Sequence, residues 1–221
     1  TGVAVAIMLM TTVSGVAVGL ASQSAVQSEN VDYWVVPEGG SVDTIAVSTD
    51  GPKLGDTHRL AAELSRDERV SYATPVLLQV VPVPSADGPQ YVLFLGVVPP
   101  HNATSTIAGL PTARLTPGDP YYADGQYNGT WTGEVVVNPA AANILNVTSG
   151  SVVAPRGTDR NFSVVGVSDE QFTTGVGVTP VALVHLSELQ QVTGATGGDA
   201  ADQLLVSTNS PGVQQRLGGV Y

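Results

Sequence analysis

The sequence contains no cysteine and only one lysine, Lys53. A chain without cysteine can form no disulfide, no thiolate nucleophile and no cysteine-ligated zinc or iron–sulfur site. Its 8 Lys+Arg stand against 19 Asp+Glu, which gives a formal net charge of −11. Phosphate binding needs clustered cations and the chain has none, so nucleic acid is excluded as a partner. The acidic, lysine-poor composition favours a protein that works in high salt, where hydrated carboxylates keep the surface soluble. An ordinary acidic extracellular domain is the alternative.

The excess of negative charge predicts a dependence of stability on salt. We expect the isolated domain to gain stability as the salt concentration rises, because screening relieves the repulsion among its carboxylates. The melting temperature, followed by circular dichroism from low to multimolar sodium chloride, should increase. An unchanged melting temperature would remove the support for a halophilic protein.

Motifs of the common catalytic sites are also missing. The chain has no G-x-S-x-G nucleophile elbow and no G-x-x-x-x-G-K-[ST] phosphate loop, which are the patterns of one class of serine hydrolase and of ATP binding. The imidazoles are His58, His101 and His185. His185 and Glu188 have a spacing that could place two metal ligands on one helical face, but no third ligand is evident. A structural hydrogen bond is the more common use of such a histidine, and removing both side chains is expected to cost about 1 kcal/mol at most.

Residues 118–125, GDPYYADG, resemble a calcium loop only superficially, because their carboxylates are too few for the ligands that calcium needs. We interpret this segment as a solvated turn. Nearby aromatic residues could form a contact surface if exposed, although packing is their usual role; they are Tyr121, Tyr122, Tyr127 and Trp131. The sequence thus predicts no catalytic, cofactor-binding or metal-binding residue, and no enzyme.

Four asparagines stand in N-x-[ST] sequons, the acceptor pattern of N-glycosylation. They are Asn102, Asn128, Asn146 and Asn161. One sequon in a chain rich in threonine and serine is a weak signal, and most can be unused. Four of them between residues 102 and 163, in a chain with a membrane helix, favour an extracellular domain.

The longest stretch without charge is residues 1–28. Its first twenty residues are almost wholly apolar, and a helix of about twenty residues spans the roughly 30 Å hydrocarbon core of a bilayer. We predict a transmembrane helix at 1–20 that continues as a polar stalk to 28. A buried core helix, a signal peptide cleaved near 21–25 and a pilin-like polymerisation helix are the alternatives. The chain begins with Thr1 rather than Met, so we expect a cytoplasmic segment before it.

The remaining chain alternates short β-rich and helical patterns, which predicts an α+β fold. The expected strands are 31–36, 44–47, 69–83, 91–98, 133–138, 151–154, 161–167, 180–184 and 204–208, with a break at Pro75 in the third. The first expected helix runs from Asp56 or Thr57 to Leu64, with one of these two residues as its cap. A short helix is expected at 139–145, with Pro139 in its first turn. A third is expected at 186–192, capped by Ser187, and a helix start at 211–217. Residues 99–130 are predicted to be rich in loops.

Four segments in fixed order resemble a known family. They are RVSYATPVL (69–77), GEVVVNPAAANIL (133–145), FSVVGV (162–167) and PVALVHLSELQQV (180–192). Together with the apolar helix that leads into them, they look like the extracytoplasmic core domain of MacB/FtsX/LolE-type ABC transporter permeases. The likeness is greatest to a haloarchaeal permease, which agrees with the composition.

The resemblance implies a permease subunit of the cell membrane with four transmembrane helices, of which 1–20 is the first. Residues from Glu29 onward would be extracellular. They would form a porter-like part at 29–102 and 198–221, with a small α/β part inserted at 103–197. The implied partners are a cytosolic ATP-binding subunit, a second permease copy in a homodimer or heterodimer, and membrane lipid. ATP-driven motion of the membrane helices would be transmitted to the outer domain, for export or to an outer partner, with no cofactor in this chain.

Two other classes remain open from the sequence. One is a membrane-anchored surface protein, pilin-like or adhesin-like, and the other is a secreted hydrolase with a dispersed site. Three further apolar helices after residue 221 are expected of a permease, and an early stop is expected of a surface protein.

Overall fold

A computed structural model describes residues 28–29, 33–35, 53–101, 105–174 and 177–208. The membrane helix predicted at 1–20, the strand at 44–47 and the helix start at 211–217 lie outside the described residues. Within the described ranges, none of the helices has the length and apolar character needed to cross a bilayer.

The strands are β1 (Ser28–Glu29), β2 (Tyr33–Val35), β3 (Val70–Ser85), β4 (Gly88–Val97), β5 (Thr106–Ile107), β6 (Leu110–Pro111), β7 (Tyr122–Ala123), β8 (Gln126–Tyr127), β9 (Glu134–Val137), β10 (Val152–Val153), β11 (Phe162–Val167), β12 (Thr173–Thr174), β13 (Gly177–Val178), β14 (Val181–His185) and β15 (Gln203–Thr208). The α-helices are α1 (Thr57–Leu64), α2 (Pro139–Leu145) and α3 (Leu186–Thr193), with a 3-10 turn at Thr112–Arg114.

One eight-stranded mixed sheet organises this part of the chain, in the order β10-β11-β9-β14-β4-β3-β15-β2. β9 and β11 are parallel, as are β4 and β14, while β14 and β9 are antiparallel. The mixed α/β character predicted from the sequence is confirmed. Strands of the predicted porter-like part and of the predicted insert share this one sheet, and the division into those parts stays a prediction.

The long hairpin β3–β4 is the centre of the sheet, paired from Val76↔Val97 to Ser85↔Gly88. The predicted break at Pro75 is wrong, because β3 continues through it. Proline has no N–H to donate to the neighbouring strand. The hydroxyl of Thr74 supplies the missing bonds instead, since its Oγ1 lies 3.0 Å from both the carbonyl oxygen and the backbone nitrogen of Val98.

Both faces of the sheet are covered. On one face α2 and α3 pack against the sheet through buried side chains such as Leu145 and Leu189. α1 packs on the same face, where Ala61 meets Leu204 and Val206 of β15. On the other face, residues of the 105–115 segment, including the fully buried Ile107, close a second core.

The second strand of the chain and the last described strand are neighbours. β2 pairs with β15 in antiparallel register, Tyr33 opposite Val206 and Val35 opposite Leu204. The short β1 pairs with β5 instead, so the incoming chain is attached to the 105–115 segment as well. The segments that enter and leave the domain therefore run side by side in opposite directions.

Candidate functional site

A histidine is held between two carboxylates at the start of the first helix. His58, in the first turn of α1, has its Nδ1 2.7 Å from Oδ1 of Asp199 and its Nε2 2.9 Å from Oδ2 of Asp119. The three side chains are 10%, 9% and 3% exposed, respectively. We call His58, Asp119 and Asp199 the His58 joint, because the three residues come from three separate parts of the chain.

Each aspartate of the joint also caps a helix. Asp199 Oδ2 accepts the backbone N–H of His58 at 2.7 Å, near the start of α1. Asp119 accepts the backbone N–H of Ser187 at 2.8 Å and the Ser187 hydroxyl, at the start of α3. A carboxylate at a helix N-terminus satisfies free N–H groups and interacts favourably with the helix dipole. The joint thus fastens two helix starts to one imidazole.

Of the two predicted caps, one is confirmed in position only and the other is wrong. Asp56 is the N-cap residue of α1, with a left-handed backbone at φ 50°, but its side chain makes no capping hydrogen bond. α3 begins at Leu186 with His185 in the cap position, so Ser187 lies inside the first turn rather than before it. In both helices the free N–H groups near the start are served by an aspartate that is distant in sequence.

The joint requires a protonated imidazole. Carboxylates only accept hydrogen bonds, so both ring nitrogens of His58 must donate, which the neutral ring cannot do. Burial alone would lower the pKa of His58, but the hydrogen bonds and charges of Asp119 and Asp199 outweigh it and raise that pKa to about 9. Burial likewise opposes the charge on Asp199, and the hydrogen bond and charge of His58 override it, lowering the pKa of Asp199 to about 2.

Aromatic and amide groups close the joint on its outer side. Tyr122 stacks on the His58 ring with centroids 3.8 Å apart. The hydroxyl of Tyr127 lies 2.9 Å from Oε1 of Gln190 and 3.2 Å from Oδ1 of Asp199. Burial, followed by the negative charge of Asp199, raises the pKa of Tyr127, so the phenol keeps its proton and acts as a donor.

The prediction of a solvated turn at 118–125 is wrong at its first half. The side chain of Asp119 is only 3% exposed, and Tyr121 is buried. Within 118–125, the exposed residues are Asp124 and Gly125, at the tip of the β7–β8 hairpin. The predicted aromatic residues serve mainly in packing, since Tyr121 meets the Trp131 ring edge-on at 5.4 Å.

The His185–Glu188 pair forms a second buried polar group. His185 Nε2 lies 2.8 Å from the carbonyl oxygen of Thr116, so this nitrogen carries a proton. Its Nδ1 lies 3.0 Å from Oγ1 of Thr132. Glu188 Oε1 accepts the backbone N–H groups of Thr132 at 2.5 Å and Gly133 at 3.0 Å. His185 therefore makes the structural hydrogen bonds that the sequence favoured.

The expected cost of about 1 kcal/mol for removing this pair is too small. Both side chains are fully buried, and Glu188 Oε1 also lies 3.0 Å from the Thr132 hydroxyl. Removing the carboxylate would leave several buried donors unsatisfied, at about 1–3 kcal/mol each. Burial raises the pKa of Glu188, although the N–H groups of Gly133 and Thr132 and the charge of His185 oppose the shift.

The described sequons are all on the surface. Asn128, Asn146 and Asn161 are exposed, and Asn102 lies outside the described residues. Among all the residues that the structure describes, no group of three or more His, Cys, Asp or Glu side chains is arranged to hold a metal ion.

What these polar groups can do chemically is hold segments together. Ser187, the one hydroxyl bonded to Asp119, is fully buried and donates to that carboxylate, so it is in no position to attack a substrate. The His58 joint and the Glu188 contacts together tie the 116–133 segment to α1, to α3 and to the turn that follows α3.

No protein-family model matches the chain, and no curated protein matches it. Several solved structures are similar in fold, and two of them are named here. One is the extracellular domain of the noncanonic ABC-type transporter YknZ from Gram-positive bacteria, with 15% identity and a TM-score of 0.48 over 77% of this chain and 81% of that one. The other is the periplasmic region of MacB from Actinobacillus actinomycetemcomitans, with 14% identity and a TM-score of 0.47 over 74% of this chain and 72% of that one.

Proposed function

We propose that this chain is the extracytoplasmic domain of a permease subunit of an ABC transporter, and that it transmits motion without performing a chemical step. The proposal begins from the four segments that resemble the MacB/FtsX/LolE type. They supply β3, β9 with α2, β11 and β14 with α3. One of the solved domains similar in fold is that of an ABC-type transporter, but at its low similarity the proposal rests on the chain itself.

The observation that carries the proposal is the pairing of the incoming and outgoing strands. β2 and β15 are antiparallel neighbours, with Tyr33 opposite Val206. A permease domain leaves one membrane helix and returns to the next, so its two connections must reach the same membrane surface. In adjacent antiparallel strands, the start of one lies beside the end of the other, so both connections leave the sheet on the same side. A pilin-like or adhesin-like protein places no such demand on its outgoing strand.

The His58 joint gives the transmitted motion a rigid path. Asp199 follows α3 and stands a few residues before β15, and it binds α1 through His58. Asp119 extends the same joint to the start of α3. A displacement of β15 by a moving membrane helix would therefore carry α1, α3 and the 116–133 segment with it. The partners in this proposal are a cytosolic ATP-binding subunit and a second permease copy, with the cargo unspecified.

Purification of the tagged full-length protein from host membranes tests the proposal. We expect an ATP-binding subunit to copurify, with ATPase activity that vanadate inhibits. A protein that purifies from the cell surface with neither the subunit nor the activity would contradict the proposal and favour a surface protein.

A proline in the predicted stalk tests the transmission of motion separately. Ser28 lies in β1, so the predicted stalk helix ends before that residue. If the helix runs through residue 25, Ala25→Pro should disrupt it at a cost of about 3 kcal/mol or more. We expect ATPase activity to persist while transport stops, and Ala25→Ser should leave both intact. Normal transport by the proline variant would show that the motion takes another route.

A further inference from the structure

We propose that Asn128 and Asn146 carry N-linked glycans and that Asn161 does not. The inference rests on the extracytoplasmic location in the proposed function. The three sequons all match N-x-[ST], with threonine in the first two and serine in the third, and all three asparagines are exposed. What separates them is whether the whole acceptor tripeptide can be presented without opening the core.

The Asn128 sequon lies in a loop. It follows β8, and its hydroxyl residue Thr130 is exposed along with Asn128. The N–H groups of Gly129 and Thr130 donate to Tyr121 O at 3.0 Å and Pro120 O at 2.9 Å. The middle residue is Gly129, so, unlike the Asn161 sequon, this one has no side chain packed into the core. The side-chain amide of Asn128 hydrogen-bonds to no other described residue, so its nitrogen is available for reaction.

The Asn146 sequon lies at the C-terminal end of α2. Asn146 is the C-cap residue, with a left-handed backbone at φ 50°, which turns it away from the helix. Asn146 and Thr148 are exposed, and the middle residue Val147 is partly buried against the core. Within the described ranges the side-chain amide of Asn146 also has no hydrogen-bond partner.

The Asn161 sequon is part of the sheet. Its middle residue, Phe162, is fully buried and packs against Phe94 with ring centroids 6.0 Å apart. Ser163 is held by strands on both sides, since its N–H donates to Gly133 O at 2.5 Å and it pairs with Val152. A transferase that must bind Asn161 and Ser163 together would have to pull Phe162 out of the core.

The modification forms one bond and breaks one. The asparagine Nδ2 attacks the anomeric carbon of an oligosaccharide linked to a polyprenyl phosphate or diphosphate, and the bond from that carbon to the phosphate oxygen breaks. The lipid phosphate leaves, and the amide nitrogen gives one proton to a base of the transferase. No oxidant or reductant is needed. The donor lipid and the transferase belong to the cell in which the protein is exported.

The test uses the full-length protein expressed in its host, with Asn102→Gln in every variant so that the sequon outside the described residues adds no signal. Mass spectrometry of its peptides should find glycans on Asn128 and Asn146 and an unmodified Asn161. In gel electrophoresis, Asn128→Gln and Asn146→Gln should each remove one mobility step. Thr130→Ala and Thr148→Ala should remove the same steps while keeping the asparagines.

Two controls complete the design. Asn161→Gln should leave the mobility unchanged, as should Asn143→Gln, which alters an exposed asparagine outside any sequon. A glycan on Asn161, or unmodified Asn128 and Asn146, overturns the proposal. Protease added to the same intact cells separates this failure from that of the proposed function. A digested but unglycosylated domain overturns the glycan proposal alone, and a protected, unglycosylated domain overturns the extracytoplasmic location as well.

Discussion

Replacing His58 with leucine should lower the free energy of unfolding by about 3–5 kcal/mol, the usual cost of removing one partner of a buried ion pair. The substitution leaves Asp119 and Asp199 as buried carboxylates that have lost a shared cation. It also removes the imidazole donors that both carboxylates accept, at 2.9 Å and 2.7 Å. Leucine keeps an apolar group against the Tyr122 ring, so the loss reports mainly the charge and the hydrogen bonds.

Urea denaturation at neutral pH measures this effect, with Arg59→Leu as the matched control. Arg59 is the next residue of α1, and it forms ion pairs with Glu63 and Asp56 on the exposed side of the helix. Exposed pairs contribute little to stability, so the control should unfold close to the wild-type midpoint. Equal midpoints for the two variants would show that the His58 joint does not stabilise the fold.

The same variant tests the charge on the imidazole. The pKa of His58 is raised from 6.5 to about 9 in the folded protein. Its stabilisation is therefore fully present below about pH 6.5 and is lost as the pH rises through 9. Wild-type stability should fall across this window by up to about 3 kcal/mol, from a shift of about 1.4 kcal/mol per pKa unit. The leucine variant should lack this fall, and a flat wild-type profile would contradict the protonated joint.

Local patterns were sufficient for most of the sheet. Apolar β-formers predicted the β3–β4 hairpin and the strands at Glu134–Val137 and Phe162–Val167. This was possible because the β propensity of a strand follows from its own residues. Pro139 predicted the start of α2 for the same reason. Asn138, predicted as the last residue of a strand, is the cap of α2 and accepts the N–H of Ala141 at 2.9 Å.

The His58 joint could not be predicted in this way. Asp119 is 61 residues from His58 and Asp199 is 141 residues away. Periodicity describes which face of an element is apolar and carries no information on which distant carboxylate meets a helix start. Asp119 lies in a Gly-, Pro- and Tyr-containing segment that is typical of exposed turns, so local composition indicated the opposite of its burial. The prediction at Pro75 was wrong for the same reason. The donor that proline lacks is replaced by the hydroxyl of Thr74, which contacts Val98 just after the end of β4.

Replacing Glu188 with alanine should destabilise the fold by about 3–5 kcal/mol, several times the cost expected from sequence. Its Oε1 accepts the N–H groups of Thr132 and Gly133, and the whole side chain is buried. Each buried donor left without an acceptor costs about 1–3 kcal/mol. The cavity left by the side chain adds to this loss.

Glu188→Gln is the matched variant that separates hydrogen bonding from charge. The amide oxygen of glutamine can accept the same N–H groups in a side chain of nearly the same shape. Because burial disfavours the charged carboxylate and raises its pKa, we expect the neutral glutamine to cost about 1 kcal/mol at most, in line with a single altered hydrogen bond. Thermal and urea unfolding at neutral pH give both values. If glutamine were as damaging as alanine, the charge on Glu188 rather than its acceptor role would hold the 132–133 backbone.

If the chain is the permease subunit proposed above, the ATPase activity of its transporter tests whether Glu188 and His185 act beyond the fold. A pair that only positions the 132–133 backbone against α3 should be dispensable for any chemical step. We therefore expect Glu188→Gln, which keeps the fold, to retain both ATPase turnover and transport within about twofold, since a change of about 0.4 kcal/mol in a barrier alters a rate by that factor. His185→Gln, which can still donate to the carbonyl of Thr116, should behave similarly. If either folded variant abolished transport, the buried pair would have a role in function that its hydrogen bonds alone do not explain.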